Sequence, residues 1–141
     1  MVCERREPRD RLDRHIGGKK RMKRLILRGE LYYADLEPVI GSEQGGERPV
    51  VVLQNNKGNR YSPTVIVAPL TTKKIKARLP THVTVSGNGL RSSSLVLLEQ
   101  IRTIDKKRIK RYVGMITAKE MQLIENAVFI SMSLSSKDAK N

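Results

Sequence analysis

Arg48 stands at the end of a glycine-rich stretch, Gly41-Ser-Glu-Gln-Gly-Gly-Glu-Arg-Pro49, and just before the apolar run Val50-Val-Val-Leu53. Gly45 and Gly46 open backbone angles that other residues resist. Pro49 fixes φ where the chain turns into the run. Such a loop can hold a guanidinium at the rim of a sheet, pointing outward. Held that way, the group suits two-pronged recognition of a phosphate. The bland reading of an arginine after Gly-Gly is a plain surface charge. Of the two histidines, His15 and His82, the second begins a strand-like run between Thr81 and Val83. It reads as a structural hydrogen-bonding residue, with acid–base work as the alternative. Lys73, Lys74, Lys76 and Arg78 make a basic run that is either a solvated loop or a flexible grip on a polyanion.

Composition points the same way. The 141 residues carry 28 Lys and Arg against 14 Asp and Glu, a net charge of +14. That surplus favours nucleic acid or an acidic protein as partner. Residues 1–24 hold +6 of it and the rest of the chain +8, so the patterned part is basic in its own right. Four Tyr, one Phe and no Trp argue against a broad stacking platform for bases. A single cysteine, Cys3, allows no disulfide within the chain and fits a reducing, cytoplasmic setting. One Cys and two His cannot fill an ordinary His/Cys zinc site, and no cofactor or metal is expected. No apolar run approaches the ~20 residues that span a bilayer, and residues 1–24 lack the apolar segment of a signal peptide. No membrane role is expected.

At this length one domain is the default. Residues 1–24 read as a disordered basic extension, either a vector-derived or upstream-start leader ahead of Met22 or an RNA-binding arm. Residues 25–134 form the domain, and 135–141 a frayed tail. Strand signals dominate the domain: Leu31–Leu36, Pro49–Gln54 (apolar throughout, hence buried on both faces), Thr64–Leu70, His82–Val85 and Ser94–Leu98. The last of these is expected to run on through Glu99–Ile104. Asn55–Pro63 is rich in turn residues. Pro69 implies an edge, a bulge or a strand end. Asp105 caps a short helical turn, and Tyr112–Ile116 is a further strand. Thr117-Ala-Lys-Glu120 fits a capping box ahead of a helix with Met121, Ile124, Val128 and Ser131 along one stripe, widened by Leu123, Ala127 and Ile130. Part of that face should cover the sheet and part could serve a partner subunit. Many short consecutive strands and one terminal helix suggest a mainly β fold with a C-terminal helix, a small SH3-like barrel rather than a parallel α/β fold.

Several segments, taken in order, resemble the MazF/PemK toxin endoribonucleases: Arg28-Gly29, Asp35-Leu-Glu-Pro38, Gly41–Pro49, Gln54-Asn55, Gly58–Thr64, Leu79-Pro-Thr-His-Val83 and Leu97–Asp105. The resemblance spans roughly residues 24–134. It implies a MazF/PemK/CcdB-type barrel, a homodimer, and metal-independent, sequence-specific cleavage of single-stranded RNA by its own 2′-hydroxyl. The products would carry 2′,3′-cyclic phosphate and 5′-hydroxyl ends. It also implies a cognate acidic antitoxin protein. The family's catalytic arginine falls on Arg48 and its threonine on Thr71; Thr72 is adjacent, and the spacing from Ser62-Pro-Thr64 favours Thr71. Ser42, Gln44, Glu99 and Gln100 fall where the family contacts RNA, and Lys73 of the basic loop joins them. Pro69 replaces the alanine or other residue often found there. Arginine is effectively always protonated, so charge stabilisation is its natural task; the general base is left among Glu43, Glu99 and water. Two other classes compete: a non-catalytic toxin of this fold that binds a protein such as DNA gyrase, and a basic nucleic-acid-binding protein.

Overall fold

Val50, Val51 and Val52 are all fully buried, because the sheet they belong to has a core on each face. Val51 joins Leu31, Ala68 and Leu70 beneath the C-terminal helix. Val50 and Val52 join Tyr32, Ala34, Val65 and Val67 on the other side. The computed structural model describes residues 25–73 and 78–134; the expectations for 1–24, for 135–141 and for Lys74 and Lys76 lie outside them.

The elements are β1 (Glu30–Asp35), β2 (Glu47–Val52), α1 (Asn56–Tyr61), β3 (Thr64–Thr71), β4 (His82–Val85), β5 (Ser94–Leu97), β6 (Arg102–Asp105), β7 (Ile109–Met115) and α2 (Ala118–Ser131). All strand pairings are antiparallel, in the order β4-β5-β3-β2-β1-β7, with β6 also on β3. The ladder does not close into a hydrogen-bonded barrel; instead the two ends of the sheet meet through backbone. The β4–β5 turn lies against β7 so closely that a Cβ on Gly89 would sit 2.1 Å from the Val113 carbonyl oxygen, and one on Gly114 would sit 1.9 Å from that of Asn88. The barrel-like reading holds in this open form.

Four details differ from the sequence reading. Asn55–Pro63 contains a six-residue helix, α1, capped by the Asn55 side chain, which accepts the Gly58 N–H at 2.8 Å. The fifth strand does not run on. It breaks at a 3-10 turn, Leu98–Gln100, and resumes as β6 on another part of β3. The break has a cause: Leu98 is fully buried, its N–H donates to the Thr81 carbonyl at 3.0 Å, and Ser131 Oγ donates to its carbonyl at 3.1 Å. Pro69 lies inside β3, where that strand changes neighbours. Residues 64–67 pair with β6 and residues 70–71 with β5, so the proline occupies the gap between two ladders. β7 begins at Ile109, three residues before the expected start.

The capping box of α2 is formed on both sides, Thr117 Oγ1 accepting the Glu120 N–H at 3.0 Å and Glu120 accepting the Thr117 N–H at 2.9 Å. Ile124 and Ala127 are buried. Leu123 and Ile130, expected to widen that face, are about half exposed and border a groove against β4. Among the described residues no helix is long and apolar enough to cross a membrane.

Candidate active site

Arg48 is the second residue of β2, directly opposite Ala34 of β1. Its Nε donates to the Gly45 carbonyl at 2.7 Å, and one terminal nitrogen donates to the Leu70 carbonyl at 3.2 Å. The guanidinium therefore reaches across to the end of β3. Partial burial lowers its pKa from the ordinary arginine value, and it stays a cation at neutral pH.

Thr71 closes β3 and pairs with Leu95 of β5. The β2–β3 register matches Val52 with Val67, Val51 with Ala68 and Val50 with Pro69. Carried two residues further, it sets Arg48 opposite Thr71. Strand alternation agrees: both share parity with residues of one core cluster, Arg48 with Val50 and Val52, Thr71 with Val65 and Val67. By this register the two sequence candidates fall on one face of the sheet, and Arg48 reaches the backbone of the residue before Thr71. Thr71 is buried, and its Oγ1 accepts the Lys73 N–H at 3.2 Å. Thr72 is exposed.

The other candidates divide. Ser42 is exposed at the tip of the loop before β2, and Lys73 is exposed just past β3. Gln44 and Gln100 touch each other, the Gln44 N–H donating to Gln100 Oε1 at 2.8 Å. Glu99 points to the other side of the same turn. Its Oε1 accepts the Thr81 hydroxyl at 2.9 Å and its Oε2 lies 3.1 Å from His82 Nε2. Burial raises the Glu99 pKa, but hydrogen bonds from its own backbone, His82 and Thr81 outweigh it, and the net value lies below the ordinary carboxylate value. The Glu43 carboxylate closes a loop turn by accepting the Ile40 N–H at 2.8 Å. His82 has the structural bonds expected of it.

Three residues of the site carried no role in the sequence reading. Glu37 Oε2 accepts the Gly46 N–H at 2.6 Å and clasps the glycine loop from below. Arg102 donates to the Leu36 carbonyl at 3.1 Å, and Arg108 donates to the Asp35 carbonyl at 3.0 Å and to that of Glu37. These bonds fix the base of the loop. All three lie in or just beyond segments that carried the resemblance, but bonds to backbone leave no residue-type signal.

A family model for PemK-like, MazF-like toxins of type II toxin–antitoxin systems matches residues 27–132. The chain belongs to this toxin family. The matched span holds all seven strands, α2, Arg48 and Thr71. Solved structures of similar toxins share the fold. A mycobacterial endoribonuclease in complex with its cognate antitoxin is 28% identical over 79% of this chain and 98% of its own, with a TM-score of 0.66. The Mycobacterium tuberculosis toxin MazF-mt6 is 26% identical over 76% of this chain and 99% of its own, at a TM-score of 0.65. MazF from Deinococcus radiodurans, at 23% identity, matches in fold with a TM-score of 0.70 over 79% of this chain and 99% of its own.

Proposed function

We propose that this toxin is a cytoplasmic, metal-independent endoribonuclease that cuts single-stranded RNA at Arg48 and Thr71. One observation carries the reading: the partly desolvated Arg48 guanidinium donates to the carbonyl of Leu70, the residue just before the buried Thr71. Similarity to toxins named as endoribonucleases supports it.

RNA contains its own nucleophile. Its 2′-oxygen attacks the adjacent phosphorus, the bond to the 5′-oxygen breaks, and a 2′,3′-cyclic phosphate and a 5′-hydroxyl result. The protein must stabilise the charge that builds on the phosphate oxygens. Arg48, anchored by two backbone carbonyls, is set in advance for that task, which is worth several kcal/mol in comparable sites. Thr71 donates to a phosphate oxygen and fixes its position. A carboxylate with a lowered pKa accepts a proton less readily, which turns the choice of base away from Glu99 and toward Glu43 or water. Ser42, Gln44, Lys73 and Gln100 border this centre and line the RNA path. The exposed apolar side chains of Leu123, Phe129, Ile130 and Met132 on and just past α2 suit a second copy of the chain. A cognate acidic antitoxin suits the net charge.

The test is long single-stranded RNA incubated with the purified protein in excess chelator. Discrete fragments with 5′-hydroxyl ends are expected, and Arg48→Ala should stay folded while losing about 10²–10³-fold in rate. RNA left intact by the wild-type protein, or cut equally well by Arg48→Ala, would sink the proposal.

A further inference from the structure

Glu99 and Gln100 are neighbours in the 3-10 turn Leu98–Gln100, and each ties that turn to a different part of the molecule. On one side, Glu99 is held by Thr81 at 2.9 Å and by His82 at 3.1 Å. On the other, Gln100 holds the Gln44 amide at 2.8 Å. Gly45 follows Gln44 and presents the carbonyl that receives Arg48 Nε at 2.7 Å. A continuous path of short contacts thus runs from an imidazole in β4 to the guanidinium in β2.

The imidazole is a wall, not a reagent. Its side chain is 4% exposed, against 32% for that of Glu99. The Leu79 N–H donates to Nδ1 at 3.1 Å, which makes Nδ1 the acceptor and leaves the hydrogen on Nε2 to donate to Glu99. Both ring nitrogens are thereby engaged within the protein.

We propose that His82 is a positioning residue for Arg48. It orients the Glu99 carboxylate, Glu99 sets the 3-10 turn, and Gln100 in that turn pins the glycine loop from which Arg48 is aimed. The inference rests on the ribonuclease reading and adds a role to it. It gives Glu99 and Gln100 an intramolecular task in addition to any contact with RNA. The start of the turn is held independently by the Leu98 N–H bond to Thr81 and by Ser131 Oγ, ties that variants at position 82 leave in place.

The experiment measures kcat and KM for RNA cleavage by His82→Ala, His82→Gln, Gln100→Ala and the double variant His82→Ala/Gln100→Ala, with thermal unfolding as the control. His82→Ala should lower kcat roughly 10-fold, with KM changed less than about 2-fold, because misaiming a catalytic group weakens the chemical step more than binding. His82→Gln, whose amide can still donate toward Glu99, should recover most of that loss. The double variant should be no slower than about 2-fold below the worse single one, as expected of two residues on one path. Wild-type kcat in His82→Ala, a loss confined to KM, no recovery in His82→Gln, or multiplying effects in the double variant would each overturn the proposal. If His82→Ala does not fold, His82→Asn takes its place: it keeps an acceptor for Leu79 but falls short of Glu99, so it must lose kcat where His82→Gln keeps it. RNA left uncut by the wild-type protein would count against the ribonuclease reading itself.

Discussion

Thr71 is buried, yet the Lys73 amide occupies only one lone pair of its hydroxyl oxygen. The O–H is left to donate. Thr71→Val keeps shape and removes that donor, so single-turnover cleavage should fall about 10²-fold. Thr71→Ser should retain most of the rate. Glu99 offers a test by pH. Its pKa is depressed in the folded protein, so the stability it contributes is present above the unfolded carboxylate value of about 4.3 and is lost as pH falls through the lower folded value. Glu99→Gln should therefore lose less melting temperature than wild type as pH falls below about 4.3, measured by calorimetry. At this scale the shaped loop around Arg48 was legible from its two glycines and proline, but the role proposed for Arg48 came from the resemblance. Thr71 was legible only through the resemblance, since a hydroxyl at a strand end is common. Glu37 was not legible, because its partner is a backbone amide nine residues away.

The elements that carry the site are joined by backbone contacts that tolerate little. Gly114 of β7 packs on the Asn88 carbonyl of the β4–β5 turn, where an added Cβ would approach to 1.9 Å. Both contacting groups are main chain, so neither can swing aside. Gly114→Ala should destabilise the protein by at least about 2 kcal/mol in urea unfolding. By the same geometry, Gly89, which also has a φ of +93°, will not accept a side chain. Strands with clear apolar patterns and the capped α2 were readable in advance. The α1 helix was not: Asn and Gly are weak helix formers, and it is held by a buried Asn59 whose amide donates to the Gln54 carbonyl at 2.9 Å. Nor was the break after Leu97, since strand-like residues resume at Ile101 and residue types do not reveal a change of strand partner. That change is set by bonds to Thr81 and Ser131, both distant in sequence.

For the whole molecule the net charge of +14 governs encounter with a polyanion. Binding of single-stranded RNA by the inactive Arg48→Ala protein should weaken linearly in log–log plots against salt. The slope should be on the order of −2 to −4, as expected when roughly three to five phosphates are neutralised. A flat dependence would mean that charge contributes little to RNA capture. One feature of the sheet bears on how the two key groups are spaced. Arg48 is braced by β1 and Thr71 by β5, so they ride on separate arms, joined by three matched pairs between β2 and β3 and by the bond from Arg48 to the Leu70 carbonyl. Under the proposed chemistry that short splice acts as a gauge, because its twist sets the spacing of the two groups offered to one phosphodiester.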